Sequence, residues 1–350
     1  MAYTTIDKPS DYFNTVLYTG NGNQRNITGV GFQPDWIWGK NRSATGSHNV
    51  IDSVRGVSKI IYTNLTDAEA TDTSSFNAFG SDGFTMGSQS NINGSGNNIV
   101  SWNWKAGTSF TNDASATGIG TIDSTGSVNT DAGFSIVKWV GTASNATIAH
   151  GLGTTPSVFI SKSMAGAHSW GVYHKSIGIG STTLLNSNGA SDADATYYGG
   201  TSPTSTIMGL GTANATNASG DMIGYAFAEK QGFSKFGSYT GNGNADGTFT
   251  YLGFKPAFVI LKSSTSSADW ELADNKRTTS GGNVIDKELR PNTSGAETGG
   301  TDGRYIDFVS NGFKLRQAFG NWNGSGETYI YMAFAENPFV TSSGVPACAR

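Results

Sequence analysis

The chain has 350 residues, enough for two or three domains, with 14% charged residues, 48 glycines and a formal net charge of −4. That balance argues against the basic stripe of a nucleic-acid groove. The single cysteine, Cys348, rules out an intrachain disulfide or a cysteine metal site, and no 18-residue apolar run exists for a membrane-spanning helix.

The opening MAYTTIDKPSDYFN has neither the basic nor the apolar region of a secretory signal, so none is expected. At residues 18–23 the phrase YTGNGN reads as a hairpin tip, because Gly and Asn favour positive φ. GFQPDWIWGK follows. Pro34 marks a strand start, and Trp36, Trp38 and Lys40 fall on one face at period two, with the lysine expected to snorkel to the rim. LTDAEATD, at residues 65–72, predicts one short helix. SDGFTM, NGSG and the closing strand NNIVSWNWKA come next, the last alternating Val100, Trp102 and Trp104. Residues 108–130 hold little large apolar matter besides Phe110 and predict a linker.

The pattern then recurs. GLGTTPSVFISK repeats the Pro–Lys spacing at Pro156 and Lys162, behind a degenerate turn, WVGTASNAT. DMIGYAFAE closes that copy with Ile223, Tyr225 and Phe227. YTGNGN returns letter for letter at residues 239–244, followed by GFKPAFVILK with Pro256 and Lys262, SNGFKL, a second NGSG, and the closing TYIYMAFAE. A unit of about 100 residues therefore occurs three times.

The predicted fold is all-β: three tandem antiparallel β-sandwich modules, jelly-roll-like, at residues 1–107, 131–230 and 231–340. Residues 108–130 form the linker, and 341–350 a tail. Copies two and three are expected to stack, with copy one on a longer tether. Trp36, Trp38, Trp102, Trp104, Phe227 and Phe334 are assigned to the core, as are Trp170 and Trp270.

Chemistry is sparse. The G-x-S-x-G elbow and the Walker loop are absent. Asp52, Asp286 and Glu288 sit in repeat-equivalent stretches, and structural ion pairs are expected for Asp52 with Arg55 and Asp286 with Arg290. His150 precedes a turn. His168 and His174 would share a strand face, yet no third metal ligand is evident. Cys348 lacks the setting of a catalytic thiol. No catalytic residue, metal or cofactor is assigned. Tyr197, Tyr198 and Trp322 lie in turn-rich stretches and are the candidates for exposure and ligand contact.

The wording of the repeats, including GFQPDWIWGKNRSATGSHNVIDSVRG, SWNWKAG and GIGTIDSTGSVNTDAGFSIVKWVG, resembles the repeat domain of tail-fibre-like and virion structural proteins of cyanophages and pelagiphages. The resemblance covers nearly the whole chain; the middle copy departs most from the pattern. It implies a non-enzymatic virion protein, assembled in host cytoplasm and displayed on the virion surface, with other virion proteins as partners. A tail fibre or tail-associated appendage, as a homo-trimer touching host-surface glycan, is the first expectation. A capsid decoration protein bound to the major capsid protein is the alternative, favoured by the lack of a dedicated anchor before the first repeat. A polysaccharide depolymerase ranks third, for want of an acid pair.

Overall fold

In the computed structural model, which describes residues 3–279, 283–299 and 305–347, the chain is all-β and one four-strand antiparallel order occurs in three sheets. Phe13–Thr19, Asn98–Trp104, Trp36–Asn41 and Asn49–Asp52 lie side by side in that order. Phe134–Gly141, Gly220–Phe227, Val158–Ser163 and Gly171–His174 do the same. So do Ser234–Thr240, Thr328–Pro338, Phe254–Ser263 and Glu271–Asp274. The registers coincide as well. Trp36 faces Trp104, Val158 faces Phe227 and Phe258 faces Phe334; further along, Lys40, Lys162 and Lys262 face Val100, Ile223 and Ile330. We call the units modules 1, 2 and 3. Pro34 and Pro156 precede their strands, but Pro256 sits inside its strand at a bulge, the other place where a missing N–H is tolerated.

Both faces of each large sheet are buried. In module 1, Ile37 and Ile51 pack on a small sheet through Ile27, Phe76 and Phe84. Val137 and Phe159 meet Ile148 and Met208 in module 2, and Val259 and Leu261 meet Phe308 and Phe313 in module 3. These are the sandwich cores. The alternate residues point the other way. Trp36, Trp38, Trp102 and Trp104 enter one core shared with Tyr225 and Phe227 of module 2 and with Phe258 and Phe334 of module 3. Trp36 stacks on Tyr225 at 4.6 Å, Phe13 stacks on Phe334 at 5.3 Å, and Trp104 meets Phe258 edge-on at 5.7 Å. Buried aromatic rings remove ~150–250 Å² each from water, at about 25 cal/mol per Å², so this core is the main force joining the modules.

Four expectations are corrected. Module 1 is not tethered apart, because its tryptophans complete the shared core. Residues 108–130 are not a linker: Thr108–Asn112 and Ser124–Asn129 pair with each other and extend the sheet of module 2. Backbone pairing needs few large side chains, which is why the stretch looked structureless. Residues 65–72 form no helix; Ala70–Thr71 adds an edge strand instead. YTGNGN is no hairpin tip, since the strands flanking it, Phe13–Thr19 and Arg25–Thr28, belong to different sheets.

The NGSG phrase explains why that turn recurs. Buried Asn93 accepts from the Asn21 N–H at 3.1 Å and donates to the Asn23 carbonyl at 2.6 Å. Asn323 does the same for Asn242 and Asn244. Asn217 docks the degenerate turn of module 2 through Thr142 and Ser144. A Cβ on Gly20 or Gly241 would come within 2.3 Å of a carbonyl oxygen, so only glycine fits that approach.

Candidate functional site

The seams between modules consume most of the buried polar chemistry. The Lys40 ammonium is held by the carbonyls of Asn41 at 2.8 Å and Ser294, in module 3, at 3.3 Å. Lys162 reaches Thr66 of module 1 at 3.1 Å, and Lys262 reaches Asn188 of module 2 at 3.2 Å. All three lysines are fully buried, so the expected snorkelling does not occur; neighbouring-module carbonyls replace water. Burial pulls each ammonium down to about 8, partly offset by a nearby carboxylate.

A second set of links runs around the same ring. Tyr225 donates to Asp52 at 2.7 Å, and Trp102 Nε1 donates to Asp274 at 2.9 Å. Asp52 pairs with Arg55 and Asp274 with Arg277, all four side chains buried. Module 2 has His174 at this register. Burial pulls its imidazole down to about 4, so it is neutral: Nδ1 accepts from the Ser176 N–H, and Nε2 donates to the Tyr331 carbonyl at 3.1 Å. Trp170 and Trp270 likewise donate to carbonyls of the preceding module, Tyr62 and Leu184. These groups are structural posts.

Other expectations change. Asp286 does not pair with Arg290; it accepts from Thr279 instead. Arg290 holds Glu271 at 3.0 Å and Glu288 at 2.9 Å. Burial, then Glu288, push the Glu271 carboxyl well up. This carboxylate pair was invisible in the sequence, because the fold brings together two short strands. Both acids are buried and bound to one guanidinium, which leaves no open face for a substrate. His168 lies in the irregular segment before Gly171–His174, so it shares no strand face with His174. His150 is buried against Thr204 and Leu152. Among the described residues, no three His, Cys, Asp or Glu side chains could hold a metal, and no helix is long and apolar enough to cross a membrane. Cys348 lies outside the described residues.

Two of the three ligand-contact candidates are not exposed. Tyr198 is buried edge-on to Tyr173 at 5.6 Å. Trp322 is buried against Phe319, because its Gly-rich stretch folds into the short helix Gly320–Asn323. Tyr197 is half-buried and lines a cleft of about 330 Å³ with Thr182, Thr183, Ser187, Ser191 and Asp192. The Thr183 hydroxyl is buried without a partner. Burial, then Asp192 and Asp194, push the Tyr197 phenol up, which keeps its O–H as a donor. Module 3 braces the cleft wall: Ser191 donates to the Ser264 carbonyl through both its N–H and hydroxyl, while Ala268 and Lys262 hold the Asn188 carbonyl.

A family model described as a domain of unknown function, DUF7483, matches residues 8–338. The chain belongs to this family. The DUF7483 match spans all three modules as one unit, in keeping with their shared core. Comparison with characterised proteins and with solved structures gives no match. Sequence reasoning also passed over Phe249 and Tyr251, which stand exposed on the strand Phe249–Tyr251. Their only signal was an aromatic–polar–aromatic alternation, which elsewhere in this chain marks core.

Proposed function

We propose that the chain is a non-enzymatic structural protein of a phage virion, a tail fibre or tail-associated appendage that meets host-surface glycan. The observation that carries this reading is the Tyr197 cleft. It offers to solvent an aromatic ring, the partly exposed serines Ser187 and Ser191 and one carboxylate, Asp192, on a loop braced by the neighbouring module. A ring and convergent hydroxyls suit the C–H face and O–H groups of a sugar. Asp52, Asp274, His174 and the three lysines are engaged in the seams, and Glu271 and Glu288 are held by Arg290 inside module 3, which supports a binding role over a catalytic one. The resemblance to marine phage virion proteins supports the location. In this reading the protein works beside other virion proteins, as a trimer of chains, and many weak sites act together by raised effective concentration.

Copy number in purified virions tests the location. A few copies in multiples of three or six, with antibody label at the tail, are expected. Hundreds of copies over the shell would establish capsid decoration instead, and absence from the virion would defeat both. Binding of the purified protein to host cells should fall at least tenfold in Tyr197→Ala. Release of reducing ends from host polysaccharide would overturn the non-enzymatic reading.

A further inference from the structure

The near-threefold arrangement supplies an internal control. Each module has a turn in which the residue after its Pro accepts from the backbone N–H that follows the seam Asp or His. Ser53 donates to the Asp35 carbonyl, Lys175 to Ser157, and Asn275 to Ala257. The module 2 turn carries an ion pair, Lys175 with Glu229 at 2.7 Å. The module 3 turn borders a pocket of only about 60 Å³ against the edge strand of module 1. The module 1 turn borders an open groove of about 360 Å³, within the size range of ligand sites. Thr108–Asn112 and Ser124–Asn129, two strands with no counterpart among the described residues of modules 1 and 3, wall it on the other side.

We propose that this open seam is a second ligand site, separate from the Tyr197 cleft, and that it takes a neutral saccharide. The lining is chemically one-sided. Ser109 lies opposite Ser127 and Thr111 opposite Thr125, so strand alternation puts these four side chains on one face. Among the described residues, no hydrogen bond uses the side-chain hydroxyls of Ser109, Thr111 or Thr125. Free hydroxyls donate and accept, as vicinal sugar hydroxyls require. Asp35 stands at the floor, accepting from the Ala106 N–H at 2.8 Å, and a carboxylate has lone pairs for further donors. Phe110, between Ser109 and Thr111, turns its ring to the opposite face, into the core of module 2, and no Lys or Arg lines the groove. Asp35, which feels the charges of Lys105 and Asp52 behind it, is the charged side chain of the lining, and a carboxylate there disfavours anionic sugars. The groove does not depend on the virion reading, since its argument rests on the comparison among the three seams.

The test uses the full chain and four probes, maltotriose, cellotriose, mannotriose and the anionic trigalacturonate, with saturation-transfer NMR and calorimetric titration. At least one neutral probe should bind at millimolar concentration. Thr125→Arg, at an exposed position on the second strand of the sheet, should weaken it at least tenfold, and Tyr197→Ala should leave it unchanged. Thr111→Arg serves if the first variant lowers the melting midpoint. Three outcomes would overturn the site: no neutral probe binding, binding lost in Tyr197→Ala but kept in the groove variants, or trigalacturonate binding as well as the neutral probes.

Discussion

Modules 1 and 3 differ from module 2 at one buried register. Asp52 with Arg55, and Asp274 with Arg277, form ion pairs inside the protein, while the neutral His174 stands with Ile177 at the same place in module 2. Each anchors a seam by one hydrogen bond to a neighbouring module. The position therefore demands a buried hydrogen-bonding group and does not demand a charge. Where a charge is present, its partner becomes indispensable, because an uncompensated buried ion is costly.

The most severe way to break this comparison is Arg277→Ala. It strands Asp274 and removes a partner of Glu297, and should cost about 3–5 kcal/mol in denaturant unfolding. Ile177→Ala, at the matching place in module 2, should cost much less, since no charge is exposed. Trp104→Ala probes the shared core on which both kinds of seam depend. It should cost about 3–5 kcal/mol, and a loss below about 1 kcal/mol would show that the core does not join the modules.

Acid should sharpen the difference. Burial holds His174 at about 4 in the folded chain, below its ordinary 6.5. The unfolded chain therefore takes up the proton first. The stability from this residue is complete above pH 6.5 and is lost as pH falls through 4, by up to about 3 kcal/mol. His48 and His150 are displaced in the same direction, so His174→Gln should remove only part of the acid limb of the melting midpoint. At the alkaline end, the seam lysines sit at about 8 against an ordinary 10.5. There the unfolded chain holds more protons, so stability should rise from pH 8 toward 10. Lys162→Met should flatten that rise.

The smallest effect concerns the outer sheets. Phe249 and Tyr251 of module 3 occupy the places of Asn26 and Thr28 in module 1, each opposite the strand that begins at Gly312 or Gly83. The double exchange Phe249→Asn with Tyr251→Thr should change stability by no more than about 0.5 kcal/mol each. A larger loss would show that these exposed rings serve the fold.

Much of the architecture could be read from spacing alone. Six residues from Pro to Lys, and period-two alternation in three closing strands, place equivalent residues in equivalent registers because strand geometry is local. The direction of the alternate faces could not be read. Trp36 and Ile37 are both apolar, and only packing decides which one enters its own sandwich and which one the shared core. The Tyr197 cleft was half legible: a YY pair marks the loop, but the packing of the turn buries one ring and leaves the other half-exposed.

By itself the sequence determined the all-β class, the threefold recurrence of one strand pattern, and the aromatic rows that must leave water, since each follows from local propensity and burial. Only the tertiary structure decided that the three modules close around one core, that the lysines end on a neighbour's carbonyls, and that residues 108–130 hold one seam open. Those outcomes rest on contacts between residues such as Lys40 and Ser294, 254 positions apart, whose pairing is set by packing geometry and leaves no mark in local composition.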